Sequence, residues 1–224
     1  MDTQTKNTNP MGTDAEKKNL IYFIYYNGEL NYYHIHNLEL LKRFWSVFDG
    51  QKIVKIAIDS VYPTNRIISL LPDGCQYEVV KNDRMNGEAY HFLESLERIS
   101  GGITFYGHCK GVTRPRSRGL DTWIERLYSA NLMNSPIMDG KLFSGICGKI
   151  LPCQPYVPEP FHYSGSFYWF DTEKVKPRIK NLPVNKYFTE RFPAMVAKYE
   201  ECHFGHPTGG VNLNYYAEET WRGL

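Results

Sequence analysis

Over the first half of the chain, short β-prone runs alternate with stretches of helical spacing, and this alternation limits the fold more tightly than any other feature. The run "LIYFIYY" at residues 20–26 contains no charged residue, as expected of a strand covered on both faces. Asn27-Gly28 marks a turn after it. Leu38, Leu41, Trp45 and Phe48 then recur at helical spacing, and Leu40, Phe44 and Val47 widen the stripe. This predicts a helix over 37–48 with Asn37 as N-cap and Gly50 just past its end. "KIVKIAIDS" supplies a second strand ending in Asp59-Ser60, and strand, helix, strand implies a right-handed parallel crossover.

"YEVVK" reads as a third strand, and residues 87–99 as a helix whose Ala89, Phe92, Leu93, Leu96 and Ile99 share one stripe. "ITFYGHCKGVTRP" at 103–115 gives a fourth strand that stops in a cluster of polar and cationic residues. A helix follows over 120–132, with Trp123, Ile124, Leu127 and Tyr128 near its apolar side. Residues 141–171 are short β-like pieces interrupted by Gly and Pro, and helical character returns around 186–199, broken by Pro193. The expected class is α/β, with a mostly parallel central sheet flanked by helices and a smaller antiparallel portion. Residues 1–18 have almost nothing apolar to bury and read as a disordered lead or a leftover of cloning. Residues 19–224 then form one domain, with a nucleotide-binding half over 19–119 and an acceptor half over 120–224.

Composition excludes some functions. The net charge of +2 gives no global field for nucleic acid or an anionic membrane, so any basic patch is local. The early apolar run is far shorter than the roughly 20 residues of a bilayer-spanning helix. Five cysteines without a Cys-x-x-Cys pair fit reduced thiols and the cytoplasm. Cys202, His203 and His206 are too few for a metal site of known spacing. Tyr and Phe number 17 and 12, an abundance found both in sugar sites and in ordinary cores.

The order of these pieces, with "N....GE" opening the second long helix, "YGHCKGVT", "W...LYSANL" and "HYSGSFYWF", resembles GT-A type glycosyltransferases. Within that class it looks like enzymes of surface-polysaccharide and viral-glycan assembly. The resemblance spans residues 19–200. It implies a Rossmann-like GT-A fold and a nucleotide-diphosphate sugar as donor. It also implies a glycan acceptor and, in most members, an Asp-x-Asp step holding a divalent cation such as Mn or Mg. This sequence has His108-Cys109-Lys110 in that slot, which opens the metal requirement to question. A departing diphosphate needs its charge stabilised, and Lys110 and His108, with the Gly111 backbone close by, can do this in place of a cation. The plain reading is that His108 and Lys110 merely end a strand, the lysine reaching into water.

Further roles follow from the same resemblance. Tyr25, Asp59 and Asn82 would hold the nucleoside, while Glu88 either joins them or favours its helix amino terminus. Ser164, Gly165, Ser166 and Trp169 would form the wall between donor sugar and acceptor. Inversion at the anomeric carbon requires a carboxylate to take the acceptor's proton. Glu190 is the positional match and Asp171 the reserve, the plain reading of Glu190 being a surface carboxylate paired with Arg191 or Lys186. Arg114, Arg116 and Arg118 either extend the diphosphate clamp or form a solvated loop. A glycan-binding or assembly module that keeps this fold without the activity is the alternative function.

Overall fold

The computed structural model describes residues 16–205 except Arg84, Ser135, Ile137, Cys147 and residues 151–158. β1 (Lys18–Tyr26), β2 (Lys52–Ile58), β3 (Tyr77–Lys81) and β4 (Ile103–His108) form the parallel part of a seven-stranded sheet. β8 (Tyr168–Asp171) runs antiparallel to β4, β5 (Phe143–Ile146) antiparallel to β8, and β9 (Cys202–Gly205) parallel to β5. The strand order is β3-β2-β1-β4-β8-β5-β9. A separate hairpin-like pair joins β6 (Gly148–Ile150) to β7 (Phe161–Tyr163). The expected α/β class, mostly parallel with a smaller antiparallel portion, is the architecture observed.

Alternation along the strands divides the core into two layers. Leu20, Tyr22 and Ile24 of β1 pack toward α1 (Tyr32–Arg43) and α4 (Arg118–Leu132). Ile21 on the other face packs toward α3 (Ala89–Arg98) and α6 (Phe188–Val196). Two single-turn helices, α2 (Asn65–Ile68) and α5 (Thr172–Val175), complete the connections. No helix among the described residues is long and apolar enough to cross a membrane.

The first helix departs from its predicted span. It begins at Tyr32, capped by Asn31, whose side chain accepts from the backbone N–H groups of Tyr33 and His34 while His34 Nδ1 accepts from the Asn31 N–H. That reciprocal cap stabilises an otherwise aromatic-rich first turn. Asn37, expected as the N-cap, lies inside the helix and is fully buried. The helix also ends early, and Trp45–Val47 follow as a 3-10 turn. Of the expected lead at 1–18, residues 1–15 lie outside the described residues, whereas Lys18 already pairs with Ile103.

At the amino ends of the parallel strands, Asn19 ties three chain segments together at 2% exposure. Its Nδ2 donates to Gly101 O at 2.7 Å and its Oδ1 accepts from the Gln51 N–H at 2.8 Å. Asn19→Ala would remove these bonds to part-buried backbone groups, so a loss of about 1–3 kcal/mol is expected. Urea unfolding should show a lower midpoint with an unchanged slope.

Candidate functional site

β1 is paired on both edges, with β2 on one side and β4 on the other, so the strand order reverses beside it. Ligands of open parallel sheets bind outside the carboxyl ends at such a reversal. Register deepens the crevice. β4 stops with His108 opposite Phe23, while β1 continues to Tyr26 opposite Ile58. The Cys109 N–H donates to Phe23 O at 2.9 Å, and beyond that bond the chain peels away from β1.

On the β2 side of the crevice the structure brings together Tyr25, Asp59 and Asn82, which end three neighbouring strands. The Tyr25 hydroxyl donates to Asp59 Oδ2 at 2.7 Å, and Asn82 Nδ2 donates to Asp59 Oδ1 at 2.8 Å. Tyr26 turns the other way, buried, with its hydroxyl on Gly28 O. Alternation along the strand therefore assigns one tyrosine to the crevice and one to the core.

The β4 side is cationic. His108, Lys110 and Arg114 line a cavity of about 240 Å³ with Gly111, Thr113 and Leu120. The half-buried Lys110 extends along α4 with its ammonium 5.0 Å from the Trp123 ring centroid, an arrangement that favours the cation. Burial pushes the Lys110 ammonium below its usual range, against the opposing pull of Glu190 and Glu88, and Arg114 adds to the lowering. Arg114 is exposed. Arg116 lies over the Tyr32 ring, 3.7 Å from its centroid, and bonds Asp121, so this arginine belongs to the contact between α1 and α4.

His108 has a partner that sequence reasoning left undecided. Its Nδ1 lies 3.1 Å from Glu88 Oε1, which also accepts from Thr189 Oγ1 at 2.6 Å. Glu88 occupies the cap position of α3 without capping it; the side chain is turned into the site. Burial opposes its ionisation, but the His108 charge and the hydrogen bonds from His108 and Thr189 outweigh that and hold the carboxyl at about 2.

Across the crevice stands the turn before β8, which antiparallel pairing places at the same end of the sheet as His108; Tyr168 lies opposite Tyr106. Ser164, Gly165 and Ser166 make this turn, with Gly165 and Ser166 both at positive φ. A Cβ on Gly165 would press against Leu127 and Trp123, so the turn needs glycine to seat on α4. Glu190, in the first turn of α6, lies 3.6 Å from His162 Nε2, which is also 3.3 Å from Ser164 Oγ. The surface pairing considered for Glu190 is not formed. Arg191 instead grips Glu159 through Nε at 2.8 Å to both carboxylate oxygens. His162, fully buried on β7, had no signal in the sequence beyond its place in "FHYSGS".

Two expectations need correction. Trp169 cannot stack on a sugar: it is 1% exposed, packs against Phe48 and Phe105, and donates its indole N–H to Asn131 O. Asp171 closes β8 at the amino end of β4, opposite Ile103, where its carboxylate accepts from the Lys174 N–H to cap α5. The length of β4 thus separates it from His108, which removes it as a reserve base. Gly111, at φ +83 with its Cβ direction toward Leu120, Tyr33 and Ile124, lines the cavity beside Lys110. His203 bonds Ser144 Oγ through Nδ1, and His206 lies outside the described residues. A larger cavity, about 890 Å³, opens at the opposite end of the sheet beside Asn19, Ser100 and Asp171, away from every strand carboxyl end of the parallel set.

A divalent cation on a diphosphate requires hard oxygen ligands with free coordination positions. The β4 terminus offers a histidine and a lysine, and of the carboxylates acting on them Glu88 accepts from His108 and Thr189 through Oε1 while Glu190 pairs with His162. Among the described residues no group of three or more His, Cys, Asp or Glu side chains converges. The described residues at this position do not fit a cation of that kind, and no step is routed through one.

The fold and site define an α/β protein with a crevice at a parallel-sheet reversal. No family model and no curated protein matches the chain. Solved structures are similar to it at low identity. Glucosyl-3-phosphoglycerate synthase from Mycobacterium tuberculosis in complex with uridine diphosphate is 14% identical with a TM-score of 0.47, over 88% of this chain and 72% of that one. A cytidylyltransferase from Leptospira borgpetersenii is 11% identical with a TM-score of 0.42, over 87% and 77%. A mannosyltransferase from Pyrobaculum calidifontis, solved with GDP-mannose and Mn2+, is 10% identical with a TM-score of 0.39, over 91% and 59%.

Because the folded-state value of Glu88 is depressed, its contribution to stability is present above about pH 4.5 and is lost as pH falls through about 2. Glu88→Gln should therefore be less stable than the parent at pH 7. The gap should narrow steadily between pH 4.5 and 2, as measured by urea unfolding across that range.

Proposed function

We propose that this protein transfers a sugar from a nucleotide-diphosphate sugar to a glycan acceptor, with inversion at the anomeric carbon. The observation that carries the reading is the division of one crevice between two chemistries. Oriented hydrogen-bonding side chains (Tyr25, Asp59, Asn82) lie on its β2 side, and a cationic cavity (His108, Lys110, Arg114) lies on its β4 side. A nucleoside diphosphate presents the same two parts in the same order.

In this reading Asp59 accepts from the base or ribose, and Tyr25 and Asn82 keep its carboxylate in place. Lys110 and the Glu88-supported His108 take up the negative charge that grows on the diphosphate as the glycosidic bond breaks. Fixed cations in a partly dehydrated site need no reorganisation to do so. Glu190, held at the crevice by His162, accepts the acceptor hydroxyl's proton as that oxygen attacks the anomeric carbon. Ser164 and Ser166 shape the wall on the acceptor side. The low-pKa environment of Glu88 makes it the carboxylate least suited to receive a proton, which leaves the general-base role to Glu190.

Thermal unfolding against a panel of sugar nucleotides, with manganese and with chelator, identifies the donor, since a ligand bound only by the folded state raises the apparent stability. With that donor, Lys110→Ala should lower turnover by about 10²-fold or more while moving the melting temperature little. Unchanged turnover would remove the diphosphate role. Glu190→Gln should retain donor binding and lose transfer by about 10²–10⁴-fold; a fully active variant returns Glu190 to a structural part. A chain that stabilises on donor but neither hydrolyses nor transfers it is the glycan-binding or assembly module instead.

A further inference from the structure

Asn37 is an asparagine in the interior of a helix, fully buried, where helix propensity disfavours it and a core position would take an apolar residue. Its amide is saturated. Nδ2 donates to Tyr33 O at 2.7 Å and to Lys110 O at 2.9 Å, while Oδ1 accepts from the Lys110 N–H at 3.1 Å and from the Tyr128 hydroxyl at 3.2 Å. Two donors and two acceptor positions are all that an asparagine side chain offers. Both polar groups of Lys110's own backbone are thus consumed by one side chain from another element.

The consequence is directional. Lys110 lies beyond the last ladder bond of β4, where no strand partner fixes the chain. With its N–H and C=O both held, the residue keeps only its side-chain torsions, and the stem is laid along the Trp123 ring. Tyr128 is in turn hydrogen-bonded to the Tyr22 hydroxyl, which anchors the clamp in α4 and in β1. The same helix holds the loops at two more points. Asn31 Nδ2 donates to Val112 O at 2.6 Å, and His34 Nε2 pairs with Tyr25 O at 2.8 Å. Asn31, His34 and Asn37 are spaced one helical turn apart, so a single face of α1 fastens both lips of the crevice.

We propose that Asn37 is a positioning residue: by clamping the Lys110 peptide, it fixes where the Lys110 ammonium meets a bound diphosphate relative to the Tyr25 side of the crevice. The proposal rests on the reading of Lys110 given above, but the clamp itself does not. A cation fixed before the ligand arrives loses less freedom on binding, and a break of local sequence preference such as this buried asparagine is expected where function requires it.

The test uses inorganic pyrophosphate as the probe, with calorimetry for binding and amide hydrogen exchange for the clamp, on the parent, Asn37→Ala, Lys110→Ala and Leu41→Ala. Leu41 is a fully buried core residue one turn further along α1, so its truncation controls for loss of helix packing. Asn37→Ala should weaken pyrophosphate binding by about tenfold or more, and its Lys110 amide should exchange far faster while β1 amides stay protected. Leu41→Ala should bind as the parent does. Asn37→Ser serves if the alanine variant fails to fold. Binding within twofold of the parent in a folded Asn37 variant, or an equal loss in Leu41→Ala, overturns the positioning role. A parent that does not bind pyrophosphate, or a Lys110→Ala variant that binds it equally well, overturns the diphosphate reading of Lys110. Exchange at the Lys110 amide then still judges the clamp, and unchanged protection in the Asn37 variant overturns it.

Discussion

The two-sided pairing of β1 is the constraint on which the rest of this structure depends. Where a strand is bonded in parallel on both edges the strand order reverses, and a gap opens outside its carboxyl end. The three-residue overrun of β1 past the β4 register converts that topological gap into a crevice with a floor. Every group discussed as functional stands on its rim: Tyr25, Asp59, Asn82, His108, Lys110, and across from them the turn that leads into β8.

Charge at this rim is arranged rather than merely present. Lys110 is disfavoured by burial and supported by Glu190 and Glu88, while His108 is supported by a carboxylate that stays ionised far into acid. Lys110 therefore reaches the crevice with carboxylates acting on it from two elements, α6 and the start of α3. The pairing of Glu190 with buried His162, and of Arg191 with Glu159, keeps α6 fixed over the opposite lip.

Much of this was legible from local pattern. The strand runs at 20–26, 52–58, 77–81 and 103–108 stand where continuous apolar or β-branched residues predicted them, because burial on both faces leaves that mark regardless of context. Residues at strand carboxyl ends followed from topology, which is why Tyr25, Asp59, Asn82, His108 and Lys110 lie at the same end of the sheet. Trp169 was misread because period-two alternation tells which residues share a face but not whether that face is open; in β8 both faces are core. Asp171 was misread because a strand's direction in the sheet decides which end of the molecule its last residue reaches.

The sequence by itself determined the class of fold, the parallel half of the sheet and the cationic ending of β4, since these follow from periodicity and from residue types at strand ends. Only the tertiary structure decided what each polar side chain touches. Asn37 read as a cap and proved to bond the Lys110 backbone, and Glu88, read as either a nucleoside-holding group or a helix-end carboxylate, proved to be the partner of His108. The reason is physical: periodicity is set by neighbours three or four positions away, whereas these bonds join residues 73 and 20 positions apart, and only the packed sheet brings them within hydrogen-bonding distance.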